Sequence, residues 1–156
     1  IVYRREVAAL RQLRAFADRA LHSRALAYHY LHLARQQAAA KLSREEVALK
    51  RYFYALRPAL TLRFLRLHPG QRPPMHLAAL LAAADLPVAT LGKIEGLVAA
   101  KRRTREMGSG RRIPVLDRLI AAEIAKASAT IAATEPKRAP AELAAADRLF
   151  RRLLGR

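Results

Sequence analysis

Apolar residues return every three or four positions through most of this chain, a spacing that marks helices. Val7, Leu10, Leu13, Ala17 and Leu21 fall on one face of a first helix, predicted over residues 4–21. Ser23 is placed to cap a second, in which Leu26, Tyr30, Leu33 and Gln37 line one face and Ala27, Leu31 and Ala34 lie beside it. Ser43-Arg44-Glu45-Glu46 has the form of a capping box and predicts the opening of a third helix, with Leu49, Phe53, Leu56, Leu60, Phe64 and Leu67 as its stripe. Pro58 lies inside that stripe. Proline removes an amide donor and crowds the preceding turn, which predicts a kink near Ala55.

The run His68-Pro69-Gly70-Gln71-Arg72-Pro73-Pro74 reads as a loop, followed by a short Ala/Leu helix from Met75 to Ala84. Asp85-Leu86-Pro87 breaks it and starts another helix, with Leu91, Ile94 and Val98 on one face, that runs through Lys101-Arg102-Arg103 and ends near Gly108-Ser109-Gly110. Pro114 opens a helix with the stripe Leu116, Leu119, Ile120, Ile124 and Ile131. Glu135-Pro136-Lys137-Arg138 is a turn, and a last helix from Pro140 is expected to bury Leu143, Phe150 and Leu154. No stretch alternates as a strand does. The pattern predicts an all-α fold, six to seven helices in an irregular bundle, as a single domain over residues 1–156. Ile1-Val2-Tyr3 stands apart: it favours extended backbone and reads as the end of a strand from a preceding domain.

Composition agrees with helix. The chain is 53% hydrophobic, too apolar for an intrinsically disordered segment, and Ala, Leu and Arg outnumber the β-favouring residues. Without cysteine there is no disulfide, thiolate metal site or thiol catalysis, which suits a reducing cytoplasm. No apolar run approaches the roughly 20 residues of a membrane span. Charge changes the picture more. Thirty Lys+Arg against 12 Asp+Glu give a formal net charge of +18, and 14 of those cations, against 4 acids, lie in residues 1–67. Such a field points to a phosphate-rich partner, a nucleotide or RNA. Solvated arginines on helix surfaces are the plainer explanation.

The densest candidate chemistry is Lys50-Arg51-Tyr52-Phe53-Tyr54-Ala55-Leu56-Arg57-Pro58. On a helical wheel Leu49, Phe53, Leu56, Leu60 and Phe64 share an arc of about 80°, with Lys50, Tyr54, Arg57 and Thr61 in a second row beside it. Lysine and arginine one or two turns apart can grip successive phosphates, and a tyrosine between them can stack a base or donate a hydrogen bond. The alternative is a row of boundary residues whose heads reach water. Tyr28-His29-Tyr30-Leu31-His32 offers two histidines at i, i+3 but no third ligand, so a zinc site is not expected, and structural or substrate-positioning roles suit Tyr28 and His29 better. The carboxylates never pair as D-x-D, Gly108-Ser109-Gly110 lacks the P-loop surroundings, and no Ser/His/Asp hydrolase signature is present. No catalytic residue and no metal ligand is assigned.

Three segments carry a family resemblance. Arg24-Ala25-Leu26-Ala27-Tyr28-His29-Tyr30-Leu31-His32-Leu33-Ala34-Arg35, then Leu49-Lys50-Arg51-Tyr52-Phe53-Tyr54-Ala55-Leu56-Arg57-Pro58-Ala59-Leu60, then Arg72-Pro73-Pro74-Met75 follow the same order as in predicted nucleotidyltransferases of the DNA polymerase β superfamily, in particular the RNA-ligase-associated group. Lys101-Arg102-Arg103-Thr104-Arg105-Glu106 and Arg112-Ile113-Pro114-Val115-Leu116 are more weakly similar to that family's C-terminal part. The resemblance is strongest over about residues 24–125.

It implies the helical half of an enzyme that transfers a nucleoside monophosphate from a nucleoside triphosphate. In that superfamily a small sheet carries a Gly-Ser motif and metal-binding acids, and this sequence lacks them. Mg2+ is then expected for the full-length enzyme and not on this chain, which alone should be inactive and should pair with an N-terminal catalytic domain. Lys50 and Arg57 would contact triphosphate or RNA phosphates, with Tyr54 and Tyr28 positioning base or ribose and His29 among the nucleotide- or phosphate-binding residues. A different class of reading is a stand-alone basic helical module that binds nucleic acid without catalysis. A third is an interaction domain whose apolar N-terminal face docks a partner.

Overall fold

A computed structural model describes residues 7–20, 22–41, 46–104, 107–133 and 140–155. The elements run α1 (Val7–Arg19), α2 (Ser23–Lys41), β1 (Glu46–Ala48), α3 (Lys50–Leu67), α4 (Leu77–Ala82), α5 (Val88–Arg103), β2 (Ser109–Arg111), α6 (Pro114–Ala132) and α7 (Pro140–Leu153). The all-α expectation holds, with one small two-stranded sheet added. No described helix is long and apolar enough to cross a membrane. The chain forms two compact units, one of residues 23–134 and one of residues 1–22 with 135–156.

In the larger unit α3 is the axle, with α2, α4, α6 and β1 against it. Tyr52, Ala55, Leu56, Ala59 and Leu60 have no exposed surface and meet Leu80, Ile94, Leu116 and Ile120 in the main core. Leu62 lies toward the C-terminal end of the helix and joins Leu31, Ala34 and Ile131 in a second cluster. On α2 the buried row is thus Leu31 and Ala34, whereas Leu26, Tyr30, Leu33 and Gln37 are half-buried. Pro58 is buried inside α3 and the helix continues through it to Leu67. Thr61, one turn on, donates its hydroxyl to the Arg57 carbonyl at 2.9 Å.

Two expectations about boundaries are corrected. The third helix does not open at the capping box: Ser43, Arg44 and Glu45 lie outside the described residues, and Glu46–Ala48 is a strand. It pairs antiparallel with Ser109–Arg111, Glu46 opposite Arg111 and Ala48 opposite Ser109. Ser109 and Gly110 are therefore strand, preceded by Gly108, and α5 already ends at Arg103. Strands of three residues are too short to show a period of two, which is why the pattern missed them. The glycines have stated work here. Gly108 sits at φ +60, where a side chain is strained, and its carbonyl accepts the Leu49 N–H at 3.1 Å. A Cβ on Gly110 would stand 3.2 Å from Leu49 Cδ2.

The burial expected on the last helix is also corrected. Leu143, Phe150 and Leu154 are 78%, 61% and 56% exposed, and Leu10 and Leu13 are 37% and 46% exposed. A unit of that size has too little chain to enclose side chains. The strand end read at Ile1-Val2-Tyr3 and the turn at Glu135–Arg138 lie outside the described residues.

Candidate functional site

Because α3 is packed over most of its circumference, the arc it leaves open is defined. At about 100° per residue Lys50, Tyr54 and Arg57 span an arc of about 60°, and all three are exposed. Phe53 borders that arc, half-buried, and Lys101 from the last turn of α5 places its ammonium 4.9 Å from the ring centroid. Arg57 donates from Nη2 to the carbonyl of Met75. These two contacts bring three separate segments to one edge: Leu49–Leu60, Arg72–Met75 and the Lys101-Arg102-Arg103 run.

The edge is electropositive for reasons beyond composition. No side chain caps α3, and its first turn holds Lys50 and Arg51 with no acid. Cations there oppose the positive end of the helix dipole, an arrangement that a bound anion would relieve. Tyr54 is 56% exposed between the two basic positions.

Tyr28 and His29 do not belong to this edge. Both are exposed, and His29 meets Tyr30 edge-on at 5.2 Å between ring centroids. Their neighbour Ala27 lines a cavity with Leu62, Leu65 and Pro69, at the far end of α3. At 1.5 Å per residue Leu65 is about 16 Å along the helix from Tyr54. The structure thus unites Lys50, Tyr54 and Arg57 and leaves Tyr28 and His29 apart from them.

Two buried polar systems hold the frame of the edge, and neither was singled out from sequence. Tyr52, fully buried, donates its hydroxyl to Asp117 Oδ1 at 3.0 Å and accepts the Ile113 N–H at 2.7 Å. Burial, with the Asp117 carboxylate beside it, raises the phenol above its ordinary value of 10.0. Arg112 in turn holds Asp117 Oδ2 at 3.0 Å. Glu123 on α6 is 1% exposed and receives Arg63 at 2.8 Å and Arg66 at 3.0 Å. Arg63 also donates to the carbonyls of Ala84 and Asp85, tying α3 to the turn before α5. The available signal was Glu123 itself, between Ile120 and Ile124 on an apolar stripe, where a carboxylate needs a partner.

Magnesium, which the resemblance implies, finds no set of donors here. Among the described residues no three His, Asp or Glu side chains gather around a point. Asp117, Glu123 and Asp147 are each committed to arginine.

The larger unit is therefore an all-α frame that presents a cationic, aromatic edge on its central helix. The chain belongs to the RNA repair pathway DNA polymerase beta family, RlaP, which matches residues 1–152. This bears out the resemblance carried by the Arg24–Arg35 and Leu49–Leu60 segments. It is also similar to an uncharacterized protein, YcgL, of Bacillus subtilis (strain 168), with 34% identity over 124 residues that cover 80% of this chain and 47% of that protein. The chain thus spans about half the length of this curated relative. No solved structure matches it.

Proposed function

We propose that this chain is the helical, substrate-holding part of a nucleotidyltransferase that transfers a nucleoside monophosphate from a nucleoside triphosphate in RNA repair. The observation that carries the reading is the convergence of three family-like segments on one edge, through Arg57 on Met75 and Lys101 on Phe53. On that edge Lys50, Arg57 and Lys101 contact triphosphate or RNA phosphates, and Tyr54 stacks a base or bonds a ribose. Tyr28 and His29 are assigned a separate contact, toward the acceptor end of a bound RNA. Catalytic carboxylates and Mg2+ belong to an N-terminal half outside these residues, so this chain alone supports no nucleotidyl transfer.

The test uses the full-length protein. Lys50→Ala and Arg57→Ala each remove a charge-assisted contact worth about 1.5–3 kcal/mol, about tenfold or more in KM for the nucleotide. Unchanged kinetics in both variants, at unchanged Tm, overturn the assignment. The net charge of +18 supports a second reading, a nucleic-acid-binding module without catalysis. It requires the chain alone to bind single-stranded RNA with an affinity that falls steeply as salt rises, by about 0.7 log units per log unit of salt for each phosphate held. A flat salt response rejects that reading.

A further inference from the structure

Between α4 and α5, within the larger unit, lies a cleft of about 760 Å³. That volume falls in the range of small-molecule sites, about 300–1,000 Å³. Its walls are apolar, Leu77 and Leu81 from α4 and Leu91 and Val98 from α5, all half-buried. Charged side chains line it too, and all of them come from α5: Glu95, Arg102 and Arg103.

Along α5 the two signs are kept apart. At about 100° and 1.5 Å per residue, Glu95 and Arg102 lie within about 20° on the wheel and about 10 Å apart along the axis. Their own helix offers no pairing partner. Three and four residues from Glu95 stand Leu91, Gly92, Val98 and Ala99, and one turn before Arg102 and Arg103 stand Val98, Ala99 and Ala100. Among the described residues, no hydrogen bond or ion pair engages the side chains of Glu95, Arg102 or Arg103. Lys101, by contrast, stands over the Phe53 ring.

Each simple ligand fails at one end of this cleft. An inorganic anion on the arginines leaves Glu95 unanswered, a cation on Glu95 leaves the arginines so, and an apolar molecule answers neither. The lining suits an apolar body with an anion at one end and hydrogen-bond donors about 10 Å away, two turns of α5. A carboxylate at neutral pH only accepts, and it can accept through both oxygens. Among the nucleobases, guanine alone sets two adjacent donors, N1–H and the N2 amine, on its Watson–Crick edge, which an unpaired base exposes. Its 5′-phosphate lies at the far end of the nucleoside.

We propose that the cleft between α4 and α5 binds a guanosine 5′-phosphate group. The base lies against Leu81 and Val98 with N1–H and the N2 amine on Glu95, and the phosphate meets Arg102 and Arg103. None of Lys50, Tyr54 and Arg57 lines this cleft, and the site does not depend on the function proposed for them.

The probe is GMP, titrated into the full-length protein and followed by the methyl resonances of Leu77, Leu81 and Val98. GMP is expected to shift them at one saturable site, at least about tenfold more tightly than AMP, which lacks the paired donors, or guanosine, which lacks the phosphate. Glu95→Gln replaces one acceptor by a donor, the pattern that the adenine edge takes. It should weaken GMP about tenfold and tighten AMP. The Arg102→Gln/Arg103→Gln double variant should weaken GMP about tenfold and leave guanosine unchanged. A single-stranded UpGpU arm separates the sources: tighter binding than GMP at these methyls assigns the site to a strand, and equal binding assigns it to the free nucleotide. Equal affinity for GMP and AMP in the parent overturns the proposal, as does a Glu95→Gln protein that keeps the full preference for GMP. Unmoved Leu81 and Val98 resonances overturn it too. So does loss of their shifts in the Lys50→Ala/Arg57→Ala double variant, which would place the nucleotide on the basic edge.

Discussion

On α3, Tyr52, Leu56 and Leu60 have no exposed surface, while on α7 Leu143 and Phe150 are 78% and 61% exposed and on α1 Leu13 is 46% exposed. All three helices carry apolar residues at helical spacing. On α1 and α7 the apolar face is narrow and set off by charge, whereas α3 mixes apolar and polar residues around its circumference. The helix with the less segregated pattern is nonetheless the better covered, because α2, α4, α6 and β1 surround it. Spacing records which face of a helix is apolar, and neighbours decide whether that face is buried. The same crowding leaves Lys50, Tyr54 and Arg57 together on an open arc of α3.

If that contrast is right, removing core volume on α3 has the largest effect. Leu60→Ala should lower stability by about 2–5 kcal/mol, because a fully enclosed leucine leaves a cavity that its neighbours fill only in part. Urea denaturation of the parent and the variant measures it. A loss under about 1 kcal/mol means that α3 is not enclosed in solution, and the contrast with α1 and α7 fails.

Next comes the pair of guanidiniums on Glu123. Glu123→Ala leaves Arg63 and Arg66 without their carboxylate, and their side chains keep 15% and 35% of their surface in water. Partial hydration reduces the loss, so we expect about 1.5–3 kcal/mol rather than the value for a fully enclosed pair. A neutral result would make Glu123 a passenger on α6 and leave the turn at Ala84–Asp85 without its tie through Arg63.

Tyr52→Phe is smaller, about 1–2 kcal/mol, since the ring still packs while Asp117 and the Ile113 N–H lose a partner. Its signature is in pH. The folded protein holds the phenol proton more tightly than the unfolded chain does, because burial and then Asp117 raise the Tyr52 value above 10.0. That contribution is complete below about pH 10 and is lost as pH rises through the folded-state value. The parent should lose stability on the alkaline side, and Tyr52→Phe should flatten that limb. An identical limb in both proteins assigns the loss to other groups.

The sequence made some of this visible and hid the rest for physical reasons. Helices show because a period of 3.6 accumulates over many turns, and five of the seven lie within a few residues of where the spacing puts them. The opening of α3 differs from the capping-box expectation because Glu46–Ala48 pairs with the distant Ser109–Arg111, and the Leu49 N–H is held by the Gly108 carbonyl. The Lys50–Tyr54–Arg57 row could be read on a wheel, since it depends on one helix alone. The contacts of Arg57 with Met75 and of Phe53 with Lys101 cannot, because they cross 18 residues of chain in one case and 48 in the other. Nothing local in the sequence marks the Tyr52 hydroxyl, because its partners Asp117 and Ile113 lie in a distant segment.

The smallest expected effect tests the other side of the contrast. Phe150→Ala on α7 removes a ring that is 61% exposed, and an exposed substitution away from caps and buried networks changes stability by no more than about 0.5 kcal/mol. Alanine also favours helix more than phenylalanine does, which offsets part of what the ring contributes. Denaturant unfolding should therefore leave the midpoint nearly unmoved, and Leu143→Ala should behave alike. A loss above about 1 kcal/mol at either position means that the face is covered in solution. The difference between α3 and α7 would then lie in what covers each helix, and the apolar spacing of Leu143, Phe150 and Leu154 would have been a true sign of burial.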